Sequence, residues 1–144
     1  MSPAQRSAVV CEAMTWLRTP YAHAQDIKGV GVDCVMLLAR VFAQAGVLPF
    51  IDPRPYSRQW FLHRGEERYL RGLCAQAVEI AEVDARPGDI ALYRFGRCYA
   101  HAALIMAWPV IVHAFAPAKC VALGEGDAGQ LAAPRPRKFF TVLA

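Results

Sequence analysis

Apolar residues near the start of the chain recur at the spacing of a helix. Ser2 is a suitable N-cap, and Pro3 suits the first helical position. The apolar residues that follow lie three or four positions apart and so share one face: Val10, Ala13, Met14 and Leu17. This pattern predicts an amphipathic helix that ends at Thr19 and Pro20, before a proline-bounded loop.

A second, more apolar helix is predicted from about residue 33 to residue 45. Residues 21–32 contain glycine and aspartate at intervals and show no sustained hydrophobic periodicity, which indicates an ordered loop before this helix. Asp33 is a plausible N-cap, and Gly46 lies just past the helix end. Apolar residues cover most of the helix circumference, so the helix is expected to be buried on most sides. Cys34 therefore opens a central helix.

The second half of the chain has the pattern of a sheet. Residues 49–55 form a proline-rich connection, and residues 57–77 are predicted to be mainly helical. After a turn at residues 87–89, short runs typical of strands follow at residues 90–95, 101–107, 110–115, 120–123 and 138–143. Helices first and strands second predict an α+β fold, with N-terminal helices on a C-terminal antiparallel sheet. We expect one domain over residues 1–144.

Composition and charge exclude several classes of protein. The 144 residues contain no apolar run of 18 or more, so no membrane span is expected. The N-terminus lacks a basic segment followed by an apolar stretch, which predicts synthesis in the cytoplasm without a signal peptide. The net charge of +4 comes from scattered arginines and a short basic tail, which disfavours nucleic-acid binding. Five cysteines, an odd number, argue against a disulfide framework.

One cysteine and two histidines offer the groups of a thiol acyl-transfer site. The first turn of a helix favours a Cys34 thiolate, because unpaired backbone N–H groups point toward it. As an N-cap, Asp33 would turn its carboxylate into the helix. A hairpin centred on Ala107 would place His101 and His113 directly opposite each other on one face. We therefore expect a nucleophile, a general base and an orienting group in one site.

Three separated segments carry a recognisable pattern. The first is Thr19-Pro20-Tyr21 followed by Gly31-Val32-Asp33-Cys34, the second is Arg86-Pro87-Gly88-Asp89-Ile90 with His101-Ala102-Ala103-Leu104-Ile105, and the third is Val110-Ile111-Val112-His113-Ala114. Together they resemble the NlpC-type cell-wall cysteine peptidases, which have a compact papain-like fold. The resemblance implies that Cys34, His101 and His113 are catalytic and that Tyr21 lies beside the nucleophile.

The resemblance also implies a reaction, which is hydrolysis of an amide bond in the peptide stem of peptidoglycan without a cofactor or metal. Tyr21, Asp33 and Met36 are expected to form the oxyanion and substrate-binding surroundings. Val35 and Met36 stand where the family commonly has a small pair such as serine and glycine, which alters the shape of the predicted pocket.

A proline-rich segment resembles one branch of that family. Pro55, Tyr56 and Trp60 look like the branch found in phage tails and gene transfer agents. This likeness implies a virion component whose partners are tail-tip or hub proteins. Such a component would be incorporated in a phage-like tail and would act in the wall or periplasm of the target cell.

Two other interpretations stay open. The same fold could be a catalytically silent structural component of a tail tip, with its pocket closed by Met36. A zinc site could use two thiolates and two imidazoles, from Cys98, His101, His113 and Cys120, although no paired-cysteine knuckle is present. Thiol reactivity bears on the first alternative, because an activated thiol is alkylated below the pH at which an ordinary thiol of pKa about 8.5 reacts.

Overall fold

The first helix begins where its cap predicts. In the computed structural model, which describes residues 1–57, 71–72 and 74–144, α1 (Pro3–Thr15) follows Ser2. The Ser2 hydroxyl accepts a hydrogen bond from the backbone N–H of Gln5, whose side chain accepts one from the Ser2 backbone. This capping box satisfies two N–H groups that an uncapped helix would leave without partners. The predicted start is confirmed, but the helix ends at Thr15, a few residues earlier than expected.

The second helix also has the predicted ends. In α2 (Cys34–Gln44), the Asp33 carboxylate accepts a hydrogen bond from the backbone N–H of Met36. Gly46 follows the last turn with φ +72°, a left-handed conformation that glycine adopts without a steric penalty. The helix packs against α1 and the central strands of a sheet, so its apolar circumference is buried.

The remaining regular elements are mostly strands. They are β1 (Asp26–Ile27), β2 (Gly31–Val32), β3 (Ala77–Ile80), β4 (Ile90–Phe95), β5 (Cys98–Ala107), β6 (Val110–Phe115), β7 (Cys120–Glu125) and β8 (Arg137–Val142). β1 and β2 form a small hairpin in the loop before α2. In the described part of the chain, the other six form an antiparallel sheet in the order β3-β8-β4-β5-β6-β7. The predicted α+β fold is thus confirmed.

The sheet is covered on both faces, which explains its nearly continuous apolar runs. Side chains alternate between the two faces of a strand, so unbroken burial requires cover on each side. Leu92, Leu104 and Val112 pack with the helices. Ile105 lies on the opposite face, in a cluster closed by Leu131.

A buried ion pair fixes the turn before β4 to the first helix. The Arg6 guanidinium lies 2.8 Å from a carboxylate oxygen of Asp89, and it also donates to the carbonyl of Pro87. The second oxygen of Asp89 accepts a hydrogen bond from the backbone N–H of Arg86. The segment of residues 86–90 that resembled the peptidases therefore has a structural role at the entry to the sheet.

Two segments differ from the sequence prediction or lie outside the described residues. The predicted loop of residues 21–32 contains the β1–β2 hairpin. The helix predicted over residues 57–77 falls mostly outside the described part, as does Trp60; residues 71, 72 and 74 are helical, and β3 begins at Ala77. Among the residues that are described, no helix has the length and apolar character needed to cross a bilayer.

Candidate active site

A pocket opens beside the first turn of α2. Its polar wall comes from the loop before the helix and includes Tyr21 and Asp33. Its opposite wall comes from β5 and the end of β6, and it includes Phe115. Cys34 and His101 both line this pocket, so the predicted nucleophile and the predicted base share one cavity.

The Cys34 thiol is buried and rests in its protonated form. The residue is 9% exposed, and its Sγ–H donates to the carbonyl of Ala100 at 3.6 Å. Burial raises the pKa of the thiol to about 12, the negative charge of Asp33 acts in the same direction, and nearby backbone N–H groups lower it only in part. The expectation of a favoured thiolate is wrong in direction, because burial outweighs the effect of the helix N-terminus.

The two histidines are joined through their rings. Nε2 of His101 lies 2.9 Å from Nδ1 of His113. The predicted register, with the two residues directly opposite, is wrong, because β5 and β6 pair Leu104 with Val112 and Ile105 with Ile111. The offset from the predicted register is two residues. Since an even offset keeps side chains on the same face, the histidines still meet as diagonal neighbours.

A β-bulge sets the direction of His101. β4 and β5 pair Tyr93 with His101 and Arg94 with Tyr99, which leaves Ala100 as an extra residue in β5. A bulge interrupts the alternation of side chains and redirects those beside it. The Ala100 carbonyl accepts a hydrogen bond from the Cys34 thiol. Two adjacent residues of β5, Ala100 and His101, therefore supply the acceptor for the thiol and the candidate base.

Burial keeps both imidazoles neutral. It lowers the pKa of His101 to about 3, and the neighbouring His113 and Arg135 act in the same direction. Burial also lowers the pKa of His113 to about 4. When Nε2 of His101 carries the proton between the rings, Nδ1 of that neutral ring is an acceptor. Nδ1 is then the nitrogen of His101 left to take a proton, and His113 accepts a hydrogen bond from the imidazolium that results.

Aromatic side chains surround the histidine pair. The ring of Phe115 stacks on His113 at a centroid distance of 4.6 Å and lies 5.4 Å from His101. The edge of Phe95 lies against His101 at 5.7 Å. These rings supply much of the apolar surrounding that disfavours a charged imidazole. Neither ring was expected in the site, although Phe115 stands two residues after His113 and so shares its face of the strand.

Asp33 connects three parts of the site. Its Oδ1 accepts the backbone N–H of Met36 at 2.9 Å, as the predicted N-cap should. Its Oδ2 accepts the backbone N–H of Ala24 at 2.8 Å and the hydroxyl of Tyr56 at 2.5 Å. The carboxylate therefore joins the start of α2 to the preceding loop and to the proline-rich connection.

Tyr21 lies in the pocket as predicted, whereas Met36 does not. The backbone N–H of Tyr21 donates to the carbonyl of Lys119, which holds its loop against the β7 edge of the sheet. The structure contradicts a place for Met36 in the substrate pocket, because its side chain is fully buried in the core and Val35 lines the pocket instead. Successive helix residues point about 100° apart, so Cys34 and Val35 face the pocket when Met36 faces the core.

Two other pocket residues were given no catalytic role from the sequence. The sequence around His23 carries no signal of a site, and Tyr56 is marked only by its place in the proline-rich segment. In the structure, Nε2 of His23 lies 3.0 Å from the backbone carbonyl of Tyr56, and its Nδ1 lies 3.9 Å from Asp33. The contact between His23 and Tyr56 joins residues that are 33 positions apart, so no local pattern indicates it.

The proposed zinc ligands do not form a metal site. In the part of the chain that the structure describes, no three or more histidine, cysteine, aspartate or glutamate side chains are placed to hold a metal ion. Cys98 is fully buried and packs with Ala100. The two histidine rings contact each other instead of sharing a metal ion with Cys98 and Cys120.

The fold is that of NlpC/p60 domains. The NlpC/p60 domain of the peptidoglycan hydrolase SagA matches with a TM-score of 0.65 at 19% identity, over 92% of this chain and 96% of that one. NlpC1 from Trichomonas vaginalis matches with a TM-score of 0.69 at 16% identity, over 97% of this chain but 44% of that one. The chain thus spans the SagA domain and less than half of NlpC1.

A non-catalytic protein shares the fold. RipD from Mycobacterium tuberculosis, described as a non-catalytic NlpC/p60 domain protein adapted to peptidoglycan binding, matches with a TM-score of 0.64 at 15% identity, over 96% of this chain and 98% of that one. No protein-family model matches the sequence, and no curated protein sequence matches it. At these identities the likeness establishes the fold, and function must be argued from the site.

Proposed function

We propose that this chain is a cysteine peptidase or amidase that hydrolyses an amide bond in the peptide stem of peptidoglycan. The observation that carries the proposal is the position of His101, which lines the Cys34 pocket and whose Nε2 lies 2.9 Å from Nδ1 of His113. The proposal is supported by the order of nucleophile, base and third residue along the chain, which resembles that of the NlpC-type peptidases. The shared fold with the domain of a peptidoglycan hydrolase also supports it.

The reaction begins when Sγ of Cys34 attacks the carbonyl carbon of the amide as Nδ1 of His101 takes the thiol proton. His101 then gives that proton to the amine nitrogen as the C–N bond breaks, which leaves a thioester on Cys34. Water attacks the thioester and passes a proton through His101 back to the departing sulfur, which releases the acid product. His113 accepts a hydrogen bond from Nε2–H of the imidazolium, and Tyr21 donates to the oxyanion.

We place this activity in a phage-like tail, where it would help to open the wall of a target cell. The support is the resemblance of Pro55, Tyr56 and Trp60 to the tail-associated branch. Partners would be tail-tip or hub proteins. Immunodetection of the chain in purified particles, and its absence from particles of a deletion strain, is the expected result; particles that lack the chain in the native strain would contradict this location.

Release of muropeptides from purified peptidoglycan, followed by mass spectrometry, tests the reaction. The native protein is expected to release cleaved stem peptides, and the masses identify the bond. Cys34→Ala and His101→Ala are expected to abolish release while retaining the native thermal transition. A matched control is Cys11→Ala, which removes an exposed thiol of α1 that does not line the pocket. Release that persists in Cys34→Ala would refute the proposal.

A second candidate is a domain with this fold that binds peptidoglycan, or serves a tail tip, without catalysis. Two observations favour it: burial raises the pKa of the Cys34 thiol, and the structurally similar RipD is non-catalytic. Co-sedimentation with insoluble peptidoglycan tests it. Binding by the native protein that yields no cleaved peptide would favour this candidate, whereas cleavage would exclude it.

A further inference from the structure

Tyr56 makes three separate contacts around the nucleophile. Its hydroxyl donates to Oδ2 of Asp33 at 2.5 Å. Its backbone carbonyl lies 3.0 Å from Nε2 of His23, and the two rings meet edge to face. Its ring packs against Ala100, the bulge residue whose carbonyl accepts the Cys34 thiol.

The connection that carries Tyr56 is anchored through Arg54 to the loop before α2. Arg54, two residues earlier, donates to the carboxylate of Asp52 and to the carbonyl of Ala24. It also reaches Asp26 in the β1–β2 hairpin at 3.2 Å. These contacts fix the backbone near Tyr56 to the same loop that presents Asp33. The hydroxyl is therefore held toward the carboxylate, because the backbone at both ends of the contact is fixed.

We propose that Tyr56 is a positioning residue for the nucleophile: its hydroxyl holds Asp33 in the helix cap and screens the carboxylate charge from the Cys34 thiol. The meaning of this role for catalysis rests on the proposed function. The role itself concerns ionisation of the Cys34 thiol and can be measured without a substrate. Tyr56 would act through Asp33 and would not touch the reacting atoms.

The Tyr56 hydroxyl can influence the Cys34 thiol because the charge of Asp33 acts on that thiol. Asp33 precedes Cys34 directly, and its negative charge disfavours ionisation of the thiol. Oδ2 accepts hydrogen bonds from the backbone N–H of Ala24 and from the Tyr56 hydroxyl, so loss of the hydroxyl concentrates more negative charge on that oxygen. Burial, and then the hydrogen bond to Asp33, raise the pKa of Tyr56 well above its usual value, so the hydroxyl remains a donor at any pH used for assay.

Other titratable groups also face the thiol, and the test must separate them from Tyr56. The pocket around Cys34 is lined from the loop by Tyr21, His23 and Asp33, from the connection by Tyr56, and from β5 by His101, with His113 and Arg135 behind that ring. Replacing Tyr56 with phenylalanine changes none of these groups directly. It removes one oxygen and keeps the ring that packs against Ala100.

The experiment compares alkylation of Cys34 by iodoacetamide in the native protein, Tyr56→Phe and Tyr99→Phe, followed peptide by peptide in a mass spectrometer at pH 7–9. Tyr99→Phe is the matched control, because it removes a hydroxyl from β5 on a residue that does not line the pocket. A rise of about one unit in the thiol pKa lowers the thiolate fraction tenfold, and higher nucleophilicity recovers about threefold. Tyr56→Phe is therefore expected to react about threefold more slowly at each pH, and the control at the native rate.

Asp33→Asn shows whether Tyr56 acts through the carboxylate. Asparagine is a good N-cap without charge, so this variant is expected to react about threefold faster than native, by the same arithmetic. Adding Tyr56→Phe to it is expected to cause no further change in rate. An unchanged rate in Tyr56→Phe, an unchanged rate in Asp33→Asn, or an equal loss from Tyr56→Phe in both backgrounds would each overturn the proposal.

The design does not depend on the peptidase reaction. Alkylation needs no substrate, so a protein that releases no muropeptide would refute the proposed function and leave the role of Tyr56 to be decided by these rates. Thermal unfolding of each variant is recorded in parallel. A role confined to packing would lower the transition temperature without changing the alkylation rate at pH 7–9, and that result would also overturn the proposal.

Discussion

Cys34 and His101 are expected to rest as a neutral thiol and a neutral imidazole over the whole pH range in which the protein is handled. A thiol is neutral below its pKa, which burial and Asp33 raise to about 12 in Cys34. An imidazole is neutral above its pKa, which burial, His113 and Arg135 lower to about 3 in His101. Between those two values the pair carries no charge, so a thiolate–imidazolium pair is not the resting form.

The expected reactivity of Cys34 follows from the raised pKa. At pH 7 a thiol of pKa about 12 is ionised in roughly one molecule in 10⁵, whereas a thiol of pKa about 8.5 is ionised to about 3%. The thiolate fraction is thus lower by about 3.5 orders of magnitude. The more basic thiolate is a better nucleophile, with a Brønsted coefficient of about 0.4–0.5, which recovers about 1.5 orders. Alkylation of Cys34 should be about a hundredfold slower than that of a free cysteine.

The assay follows iodoacetamide modification of the Cys34 peptide by mass spectrometry between pH 5 and 10. The rate is expected to rise about tenfold per pH unit without a plateau, because the thiolate fraction rises in that proportion below the pKa. Cys11 and Cys74, which are exposed, serve as internal references for the reagent. Unfolded protein in guanidinium shows the reactivity of Cys34 without burial. A plateau between pH 5 and 8 that disappears in His101→Ala would refute the reasoning, since it would reveal a resting ion pair.

A slow thiol would not by itself exclude catalysis. In a neutral pair the proton moves to His101 as the carbon–sulfur bond forms, so the rate of attack depends on the base and on substrate geometry, not on a standing thiolate. Iodoacetamide offers neither an oxyanion nor a leaving group that His101 can protonate. Muropeptide release therefore decides whether the domain is catalytic. Thiol reactivity shows whether the reaction starts from a neutral thiol or from a thiolate.

Two further predictions concern the framework of the site. Asp89→Ala is expected to lower the free energy of unfolding by about 3–5 kcal/mol, because it leaves the buried Arg6 guanidinium without its partner at 2.8 Å. Urea unfolding measures the free energy of unfolding. The control Glu79→Ala removes a surface ion pair and should lower that free energy by less than about 1 kcal/mol. Equal losses in the two variants would contradict the argument. Gly124→Ala would place a Cβ 3.1 Å from Nε2 of His113. It is expected to shift the imidazole resonances of His113 in NMR spectra and to slow muropeptide release, and an unchanged spectrum would disprove the contact.

The elements that the sequence predicted well are those set by local chemistry. The caps of both helices depend on residues within four positions, and Ser2 and Asp33 serve as expected. The strands β4 and β6 have the predicted bounds because their apolar runs end at turns. β3 was missed, since it is a four-residue edge strand whose hydrogen bonds come from β8, some 60 residues later. Pairing over that distance leaves no local pattern to find.

The site was predictable as a set of groups but not as a geometry. The sequence singled out Cys34, His101 and His113; the first two line one pocket, and the third contacts the ring of His101. Their register was misjudged because the hairpin turn lies at residues 108 and 109, where Ala107 pairs with Val110, and because an irregularity follows Ile105 in β5. Such irregularities depend on strand pairing and leave no fixed signature in a single sequence.

Burial explains both why the resting thiol is weak and why its hydrogen bonds matter. In a pocket of low dielectric constant an isolated charge is costly, so neither the thiolate nor the imidazolium forms at rest. The same dielectric strengthens each hydrogen bond made to a charge that develops during reaction. His113 is placed to accept from the imidazolium of His101, and Tyr56 to donate to the carboxylate of Asp33. A substitution at either residue should therefore alter the thiol's chemistry without touching the thiol.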